Sequence, residues 1–576
     1  MLFRSLGLAT VAAAAAEAVS VNASLTDGVS TPRYVMYYDQ YHTSGIPDKS
    51  ITDGITHVIT AFANSSLFAS EPAGEYTPFK PLGEIRALFN NGTKVCMAIG
   101  GWGDTDGFSL GASTNEARNK YAKNVANAAL TLGYDCVDID WEYPAGNGAD
   151  YKQKPNSNKT SEINTFPLLL SAIKTQLKHH KMELSVTAPG LKRDMIAFTA
   201  HHVPKINAAV DHFTVMTYDL MNRRDNVTAH HTSVKGSLEA IDTYIALGVE
   251  PAKINLGFAL YAKWFTTATG YNCTQGLGCP TVLLEAADGT DTGNSGAVTF
   301  ETANFQEAPT NLTTSPDASC GAGTFYKCPT GNCCSQYGFC GDTAAHCGNG
   351  CQSDYGICNG TSTLSSFKTA IANGNTDEVN GGQWYWDPAG PFFWTWDTPA
   401  LVTRKFNDIV KARGIGGIAA WSLGEDSYDF SLLKAIQAGV KAWPRNAPHP
   451  EVTKWIKDRK IELGKQHCND PSSYPKGDRI NGVGVLDDAR RLCDSLKGKD
   501  QRISAMQGSY VGNGESKVSE HHFGIWWVDG CIFPTNERMR YGMNPNDPFE
   551  INEQLDGESR CARMLSENWR NCGAMG

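Results

Sequence analysis

The stretch Asp135-Cys-Val-Asp-Ile-Asp-Trp-Glu142 decides how the rest of the chain is interpreted. Successive side chains of a β-strand point to opposite faces, so this stretch carries an acidic row on one face and an apolar row on the other. The acidic row is Asp138, Asp140 and Glu142, and the apolar row is Val137, Ile139 and Trp141. A solvated edge strand would also display acids, but the bulky apolar back favours a buried strand.

Burial of this row has a chemical consequence. Like charges are costly to bury, and the usual escape is that one carboxyl keeps its proton. A carboxyl that holds a proton near neutral pH is what a general acid in glycoside hydrolysis requires.

The sequence around this stretch predicts a parallel barrel. Eight short apolar runs alternate with helix-like stretches, which favours a (β/α)8 barrel over residues 33–440. The runs lie at 34–38, 56–63, 94–101, 135–142, 184–189, 212–219, 254–259 and 417–422. Between the third and fourth runs a helical stripe stops at Gly133, a plausible C-cap. Active sites of such barrels form where the strands end, which places Glu142, Asp219 and Trp421 at one mouth.

The acidic stretch, followed by Tyr143-Pro144, resembles the signature of the family-18 chitinases. The resemblance implies a secreted chitinase that hydrolyses β-1,4 linkages of N-acetylglucosamine polymers, with chitin and chitooligosaccharides as partners and no metal or cofactor. It also implies substrate-assisted retaining catalysis, in which no second carboxylate attacks the sugar. Two alternatives stay open: a non-catalytic chitin-binding lectin, and a toxin or delivery protein whose payload lies in residues 446–576.

The resemblance also assigns roles. Glu142 would be the general acid, and Asp140 would accept the N–H of the substrate's acetamido group. Asp138 would share a proton or hydrogen bond with Asp140, and Tyr218 would hold the acetamido carbonyl. The remaining substrate-binding residues implied are Tyr37, Gly101, Trp102, Tyr143, Asp219 and Trp421.

Two positions in the third run need comment. The family usually has serine where this chain has Ala98, so the buried aspartates would lack a hydrogen bond unless Tyr37 or a water replaces it. Cys96 shares the parity of Ala98, as Cys136 shares that of Asp138, so both thiols are expected inside the barrel. We expect buried thiols there rather than a disulfide.

A long interruption separates the seventh and eighth runs. Its aromatic borders, 261–265 and 384–396, resemble those of the small α+β insertion of many family members. Residues 288–319 are interpreted as a linker. A dense cysteine cluster follows within 318–360, and its density points to a disulfide scaffold rather than a zinc site, with 105 pairings possible. Cys333-Cys-Ser-Gln-Tyr-Gly-Phe-Cys-Gly341 resembles the hevein-type chitin-binding module.

That second resemblance implies the pairs Cys320–Cys334, Cys328–Cys340, Cys333–Cys347 and Cys351–Cys358. It also implies a sugar site made by Ser335, Tyr337 and Phe339, with His346 where tyrosine is usual. A loop inserted after the seventh strand leaves from the face that carries the active site. We therefore expect the module beside the cleft, where it would present insoluble chitin.

Composition and termini complete the prediction. Residues 1–18 look like a secretory signal, and 17 cysteines fit an extracellular, oxidising destination. The net charge of −10 argues against a nucleic-acid partner, and no later apolar run predicts a membrane span. A monomer is expected. Residues 446–576 are interpreted as a separate disulfide-bonded domain of unknown function, with a helix near 486–496.

Overall fold

A computed structural model describes residues 32–360 and 362–443, together with the backbone of four dipeptides near the C-terminus. These dipeptides form two short antiparallel pairs: Tyr510–Val511 with Gly524–Ile525, and Gln554–Leu555 with Glu558–Ser559. The predicted signal 1–18 and the predicted helix at 486–496 lie outside the described residues. None of the helices within the described residues is long and apolar enough to cross a membrane.

Eight parallel strands close into a barrel, as the sequence predicts. In chain order they are Arg33–Asp39, His57–Ala63, Lys94–Gly100, Cys136–Asp140, Glu183–Pro189, His212–Met216, Ile254–Ala259 and Gly417–Trp421. The last strand pairs with the first and the seventh, which closes the ring. The acidic stretch is therefore the fourth strand, although its strand geometry ends at Asp140.

Helices cover the outside of the barrel. The α-helices of the barrel layer and its loops are Lys49–Thr52, Ser66–Ala69, Leu82–Ala87, Asp106–Ala112, Asn115–Leu132, Glu162–Lys178, Val203–Ala209, Val234–Ala246, Pro399–Lys405 and Ser431–Lys441, and Phe406–Lys411 is a π-helix. Short 3₁₀ turns lie at Asn156–Asn158, Lys192–Asp194, Pro251–Lys253 and Leu423–Asp426. Gly133 ends its helix at φ 87° and donates its N–H to Ala129, which is the predicted C-cap.

The fourth strand alternates as the sequence predicts. Val137, Ile139 and Trp141 belong to the large apolar core between the strands and the helices. The opposite face points into the barrel, where Asp138 is fully buried. This alternation brings the acidic row inside a closed ring of eight strands.

The expected pair of buried thiols is wrong, because Cys96 and Cys136 form a disulfide. They are register partners on adjacent parallel strands, with a Cα–Cα distance of 4.4 Å. Side chains at such partner positions point the same way, so both sulfurs meet inside the barrel. A second disulfide, Cys273–Cys279, was not predicted.

The interruption folds as a five-stranded sheet. The strands lie in the order Asn375–Asp377, Gly382–Asp387, Phe392–Trp396, Tyr261–Thr266 and Ser295–Thr299, and the helices of this region are Thr302–Phe305 and Thr363–Asn373. The prediction of a linker over 288–319 is wrong in part, since Ser295–Thr299 is the edge strand of this sheet. Pairing with Tyr261–Thr266 makes this segment a strand, although its local composition does not indicate one.

The cysteine-rich segment lies between the edge strand and the helix Thr363–Asn373. Its elements are Tyr326–Lys327, Cys333–Cys334, Cys340–Gly341 and the helix Ala344–Cys347, and the short strand Thr313–Thr314 lies just before it. The structure contains the four disulfides Cys320–Cys334, Cys328–Cys340, Cys333–Cys347 and Cys351–Cys358. We call this segment, residues 318–360, the disulfide module.

The barrel disulfide leads to a stability prediction. Replacing Cys96 and Cys136 with alanine should lower the free energy of unfolding by about 3–4 kcal/mol, because the bond closes a loop of intermediate length. The matched control replaces Cys273 and Cys279, which are only 6 residues apart and should cost less. Denaturant melting of both double variants tests the order, and a smaller loss for the barrel pair contradicts it.

Candidate active site

A cavity of about 1170 Å³ opens at the carboxyl ends of the barrel strands. Its lining includes these residues predicted from the sequence: Tyr37, Gly101, Trp102, Asp140, Glu142, Tyr143, Tyr218, Asp219 and Trp421. Asp138 is the one predicted barrel residue beneath the lining, and it is fully buried. The cavity exceeds the usual size of a small-molecule pocket, so it has room for several sugar units.

Asp138 is held by three hydroxyl groups. Tyr37 and Thr187 each donate to Oδ2 at 3.0 Å, and Ser185 donates to Oδ1 at 2.5 Å. Ser185 is the register partner of Asp138 on the fifth strand, whereas Ala98 is its partner on the third strand. Ser185, on the strand at the opposite side of Asp138, thus supplies the hydroxyl that position 98 lacks.

Asp140 has a different environment. It is 4% exposed, and its Oδ1 has no hydrogen-bond donor. Burial, followed by the charges of Glu142 and Asp138, raises the pKa of Asp140 well above its ordinary range. The hydrogen bond expected between Asp138 and Asp140 stays a prediction. An acceptor oxygen without a donor is available to a ligand N–H.

Glu142 lies two residues beyond the end of the strand and borders the cavity. Burial raises its pKa to about 7, and the carboxylate of Asp219 adds to this shift while a hydrogen bond with Tyr143 opposes it. A carboxyl with this pKa is protonated in a large fraction of molecules near neutral pH, so Glu142 can donate a proton.

Asp219 is not a free carboxylate. Tyr261 donates its hydroxyl to Oδ1 at 2.8 Å, and Lys263 Nζ lies 2.9 Å from Oδ2. Burial acts to raise its pKa, but Lys263 and His231 together outweigh that effect and hold the pKa of Asp219 well below its usual range. Asp219 has φ 53°, a left-handed conformation that is uncommon for residues other than glycine. It therefore stays ionised in a fixed position.

Aromatic rings line the cavity. Trp421 packs against Phe62, with ring centroids 5.6 Å apart, and its outer face borders the cavity. Trp102 is 50% exposed at the rim, and its ring centroid lies 6.4 Å from that of Tyr143. Burial, followed by the charges of Asp140 and Glu142, raises the pKa of Tyr218 well above its ordinary value, so its hydroxyl stays a donor.

Gly101 allows the third strand to turn close to the acids. It has φ 91°, its N–H donates to the carbonyl of Asp140 at 2.8 Å, and a Cβ there would lie 2.7 Å from the ring of Phe62. A side chain at this position would collide with the Phe62 ring.

Several residues of the site escaped the sequence analysis. Tyr261 and Lys263 lie two apart on one strand, a spacing that could have suggested a shared face. The ion pair between Arg224 and Asp194, with Nη2 2.8 Å from Oδ2, joins two loops and has no local signal.

The sugar site expected in the disulfide module stays a prediction. Ser335 is 3% exposed, and its hydroxyl accepts the N–H of Phe339 at 3.1 Å. His346 is bonded to Thr343 at 2.7 Å. Tyr337 and Phe339 are 59% and 58% exposed, and Tyr337 borders the barrel cavity.

Among the described residues, two groups of side chains other than the cysteines have metal-ligand spacing: His57, Glu183 and His212, and Asp39, His42 and Glu425. In the first, His57 pairs with Glu183 at 2.9 Å. In the second, burial acts against protonation of His42, but Asp39 and Glu425 raise its pKa to about 9. An imidazolium then supplies the positive charge that a bound cation would bring.

The sequence profile of "Glycosyl hydrolases family 18" matches residues 33–426, which include every barrel strand. The chain belongs to glycosyl hydrolases family 18. It is 24% identical over 302 residues to Endochitinase 1 of Metarhizium robertsii, covering 46% of this chain and 68% of that protein. It is 28% identical over 251 residues to a chitinase-like effector of Moniliophthora roreri, covering 40% of this chain and 58% of that protein.

Among solved structures, catalytic domain 2 of the Group II chitinase of Ostrinia furnacalis is 19% identical and has a TM-score of 0.49. The match covers 73% of this chain and 99% of that one.

The hydrogen bonds to Asp138 predict that activity in this family-18 barrel depends on the hydroxyl of Ser185 and not on a hydroxyl at position 98. Ser185→Ala should lower hydrolytic activity at least about tenfold, because a hydrogen bond to a charged group contributes about 1.5–3 kcal/mol. Ala98→Ser should change kcat/KM less than about twofold, since Asp138 already has three donors. A large gain of activity in Ala98→Ser would contradict this account.

Proposed function

We propose that the chain is a secreted chitinase that cleaves β-1,4-linked N-acetylglucosamine by substrate-assisted, retaining catalysis. The observation that carries the proposal is the position of Glu142 at the catalytic cavity, two residues from an Asp140 oxygen that has no donor. Burial raises the pKa of Glu142 to about 7, which supports its role as the acid. The six disulfides among the described residues support an oxidising destination, and so the secretion predicted from residues 1–18.

The proposed reaction begins with proton donation. Glu142 protonates the glycosidic oxygen, and the carbonyl oxygen of the substrate's own acetamido group attacks the anomeric carbon. The bond from that carbon to the glycosidic oxygen breaks, the leaving sugar departs with the proton from Glu142, and an oxazolinium-like ring forms. Asp140 accepts the acetamido N–H and offsets the positive charge that develops on the ring. Tyr218 donates its hydroxyl to the acetamido carbonyl oxygen and orients it. Glu142 then removes a proton from a water whose oxygen attacks the anomeric carbon and opens the ring. The acid is restored, and two successive inversions retain the configuration.

The supporting residues fix this geometry. Trp421 forms the floor beneath the sugar, and Trp102 offers an exposed ring at the rim. Asp219, ionised by its pairing with Lys263, contributes a negative charge that raises the pKa of Glu142. Asp138 stays buried below Asp140 and adds to the charge that raises the pKa of Asp140.

The direct test measures oligomer release from soluble chitin by the wild type and by Glu142→Gln. The amide cannot donate the proton, so cleavage should fall by about two orders of magnitude or more while binding of chitooligosaccharides persists. If the wild type binds the same substrate without cleaving it, the chain is a lectin and the proposal fails.

The pH dependence has a defined sign. Because Glu142 must carry its proton, kcat/KM should fall as the pH rises through about 7. Asp219→Asn removes a charge that raises this pKa, so the falling limb should move to lower pH. Arg224→Gln is the opposite control, because Arg224 lowers the pKa of Glu142. Limbs that move together, or in the reverse directions, would contradict the assignment.

A further inference from the structure

The disulfide module is fastened to the edge strand Ser295–Thr299 of the insertion. Gln336 Nε2 donates to the carbonyl of Ser295 at 3.1 Å, and Asn349 Nδ2 donates to Thr266 Oγ1 at 3.3 Å. These contacts join the module to the two adjacent strands of the sheet at separate points, which fixes its orientation as well as its position.

The fit at this junction depends on small residues. A Cβ on Gly296 would lie 1.7 Å from Gln336 Oε1 and 2.7 Å from Trp264 Nε1. A Cβ on Gly350 of the module would lie 3.0 Å from Trp264 Cζ2. Gln336 Oε1 and Trp264 Nε1 are both buried and have no hydrogen-bond partner. An unpaired acceptor and an unpaired donor therefore lie next to Gly296. The module is therefore seated in a place with no room for larger side chains.

Tyr337, the residue after Gln336, is directed into the catalytic cavity by this seating. It borders the cavity that Glu142 also borders. Its hydroxyl donates to Asp291 Oδ2 at 2.9 Å, which holds the ring in one orientation. Asp291 Oδ1 is fixed in turn by the N–H of Gly293 at 2.8 Å. Even so, 59% of Tyr337 remains exposed and available for contact.

The wall of the cavity is continuous from Tyr337 towards the acid. Asp291 pairs with Glu285 through a β-bridge, and Glu285 accepts hydrogen bonds from Arg223, at 2.9 Å, and from Tyr151. All of these side chains border the same cavity as Glu142. A chain bound at Glu142 can therefore extend along this wall to Tyr337.

We propose that Tyr337 and Asp291 form a saccharide subsite of the catalytic cleft, so that the disulfide module is a fixed part of the cleft wall. The ligand is an N-acetylglucosamine unit remote from the cleaved bond, stacked on the Tyr337 ring, with its hydroxyl or amide donors facing Asp291. This inference rests on the proposed function, since it assigns a further subsite for the same substrate.

Phe325 provides a matched control within the same module. It is as exposed as Tyr337, at 61%, but it is not among the residues that border the cavity. If loss of an exposed ring acted only through the fold of the module, replacing Phe325 would have the same effect as replacing Tyr337. A subsite in the cleft depends on Tyr337 and not on Phe325, and its effect is confined to soluble oligomers that are long enough to reach it.

The test compares Tyr337→Ala, Tyr337→Phe and Phe325→Ala in the full chain, using soluble N-acetylglucosamine oligomers of two to seven units. Tyr337→Ala should lower kcat/KM about five- to twentyfold for the longest oligomers and leave the shortest unchanged, through loss of buried ring surface. Tyr337→Phe keeps the ring but frees it from Asp291, so its loss should be intermediate. Phe325→Ala should match the wild type at every length.

Two checks keep the outcome decisive. Titration of free thiols and the wild-type kinetics on short oligomers show whether each variant is folded. The inference is overturned if Tyr337→Ala affects all lengths equally, affects none, or behaves like Phe325→Ala. A wild type that cleaves no oligomer would instead defeat the proposed function, which separates the two failures.

Discussion

The site depends on one constraint: Asp138 and Asp140 are buried on the fourth strand, and Glu142 is partly buried just beyond its end. Loss of water favours the neutral forms of carboxyl groups, and the surroundings differ at each position. Asp138 receives three hydroxyl donors, Asp140 is left with an unpartnered oxygen, and Glu142 is placed at the cavity with a pKa of about 7. In the proposed function, these three residues are an anchored acid, an acceptor and a proton donor in sequence.

The fold could be predicted because its signals are local. The alternation in 135–142 and the eight apolar runs each follow from the periodicity of a single segment. The family resemblance located part of the cavity lining, including Asp140, Glu142 and Trp421. What the sequence did not reveal depends on strand register. Cys96 meets Cys136, and Ser185 replaces a hydroxyl at position 98, because these residues are neighbours across the sheet. The clamp of Lys263 on Asp219 likewise joins distant parts of the chain.

The insertion shows the same dependence on tertiary context. Ser295–Thr299 has a composition typical of a linker, yet its pairing with Tyr261–Thr266 makes it the edge strand on which the disulfide module rests. Glycine at position 296 has no helical or turn signal, and its role emerges only where Gln336 lies against it. The hevein resemblance implied the disulfide pairs of the module. Only the structure shows the contacts that hold the module against the sheet.

The central claim is that the substrate's own acetamido group attacks the anomeric carbon first, with net retention, and that a water activated by a second carboxylate does not attack it directly. Asp219 is tied to Lys263 and Tyr261, which leaves it poorly placed to activate a water from the opposite face. The most direct test is the NMR spectrum of the first product released from a soluble oligomer by the wild type, recorded before the anomers equilibrate. The account predicts the β-anomer, and an initial α-anomer would contradict it.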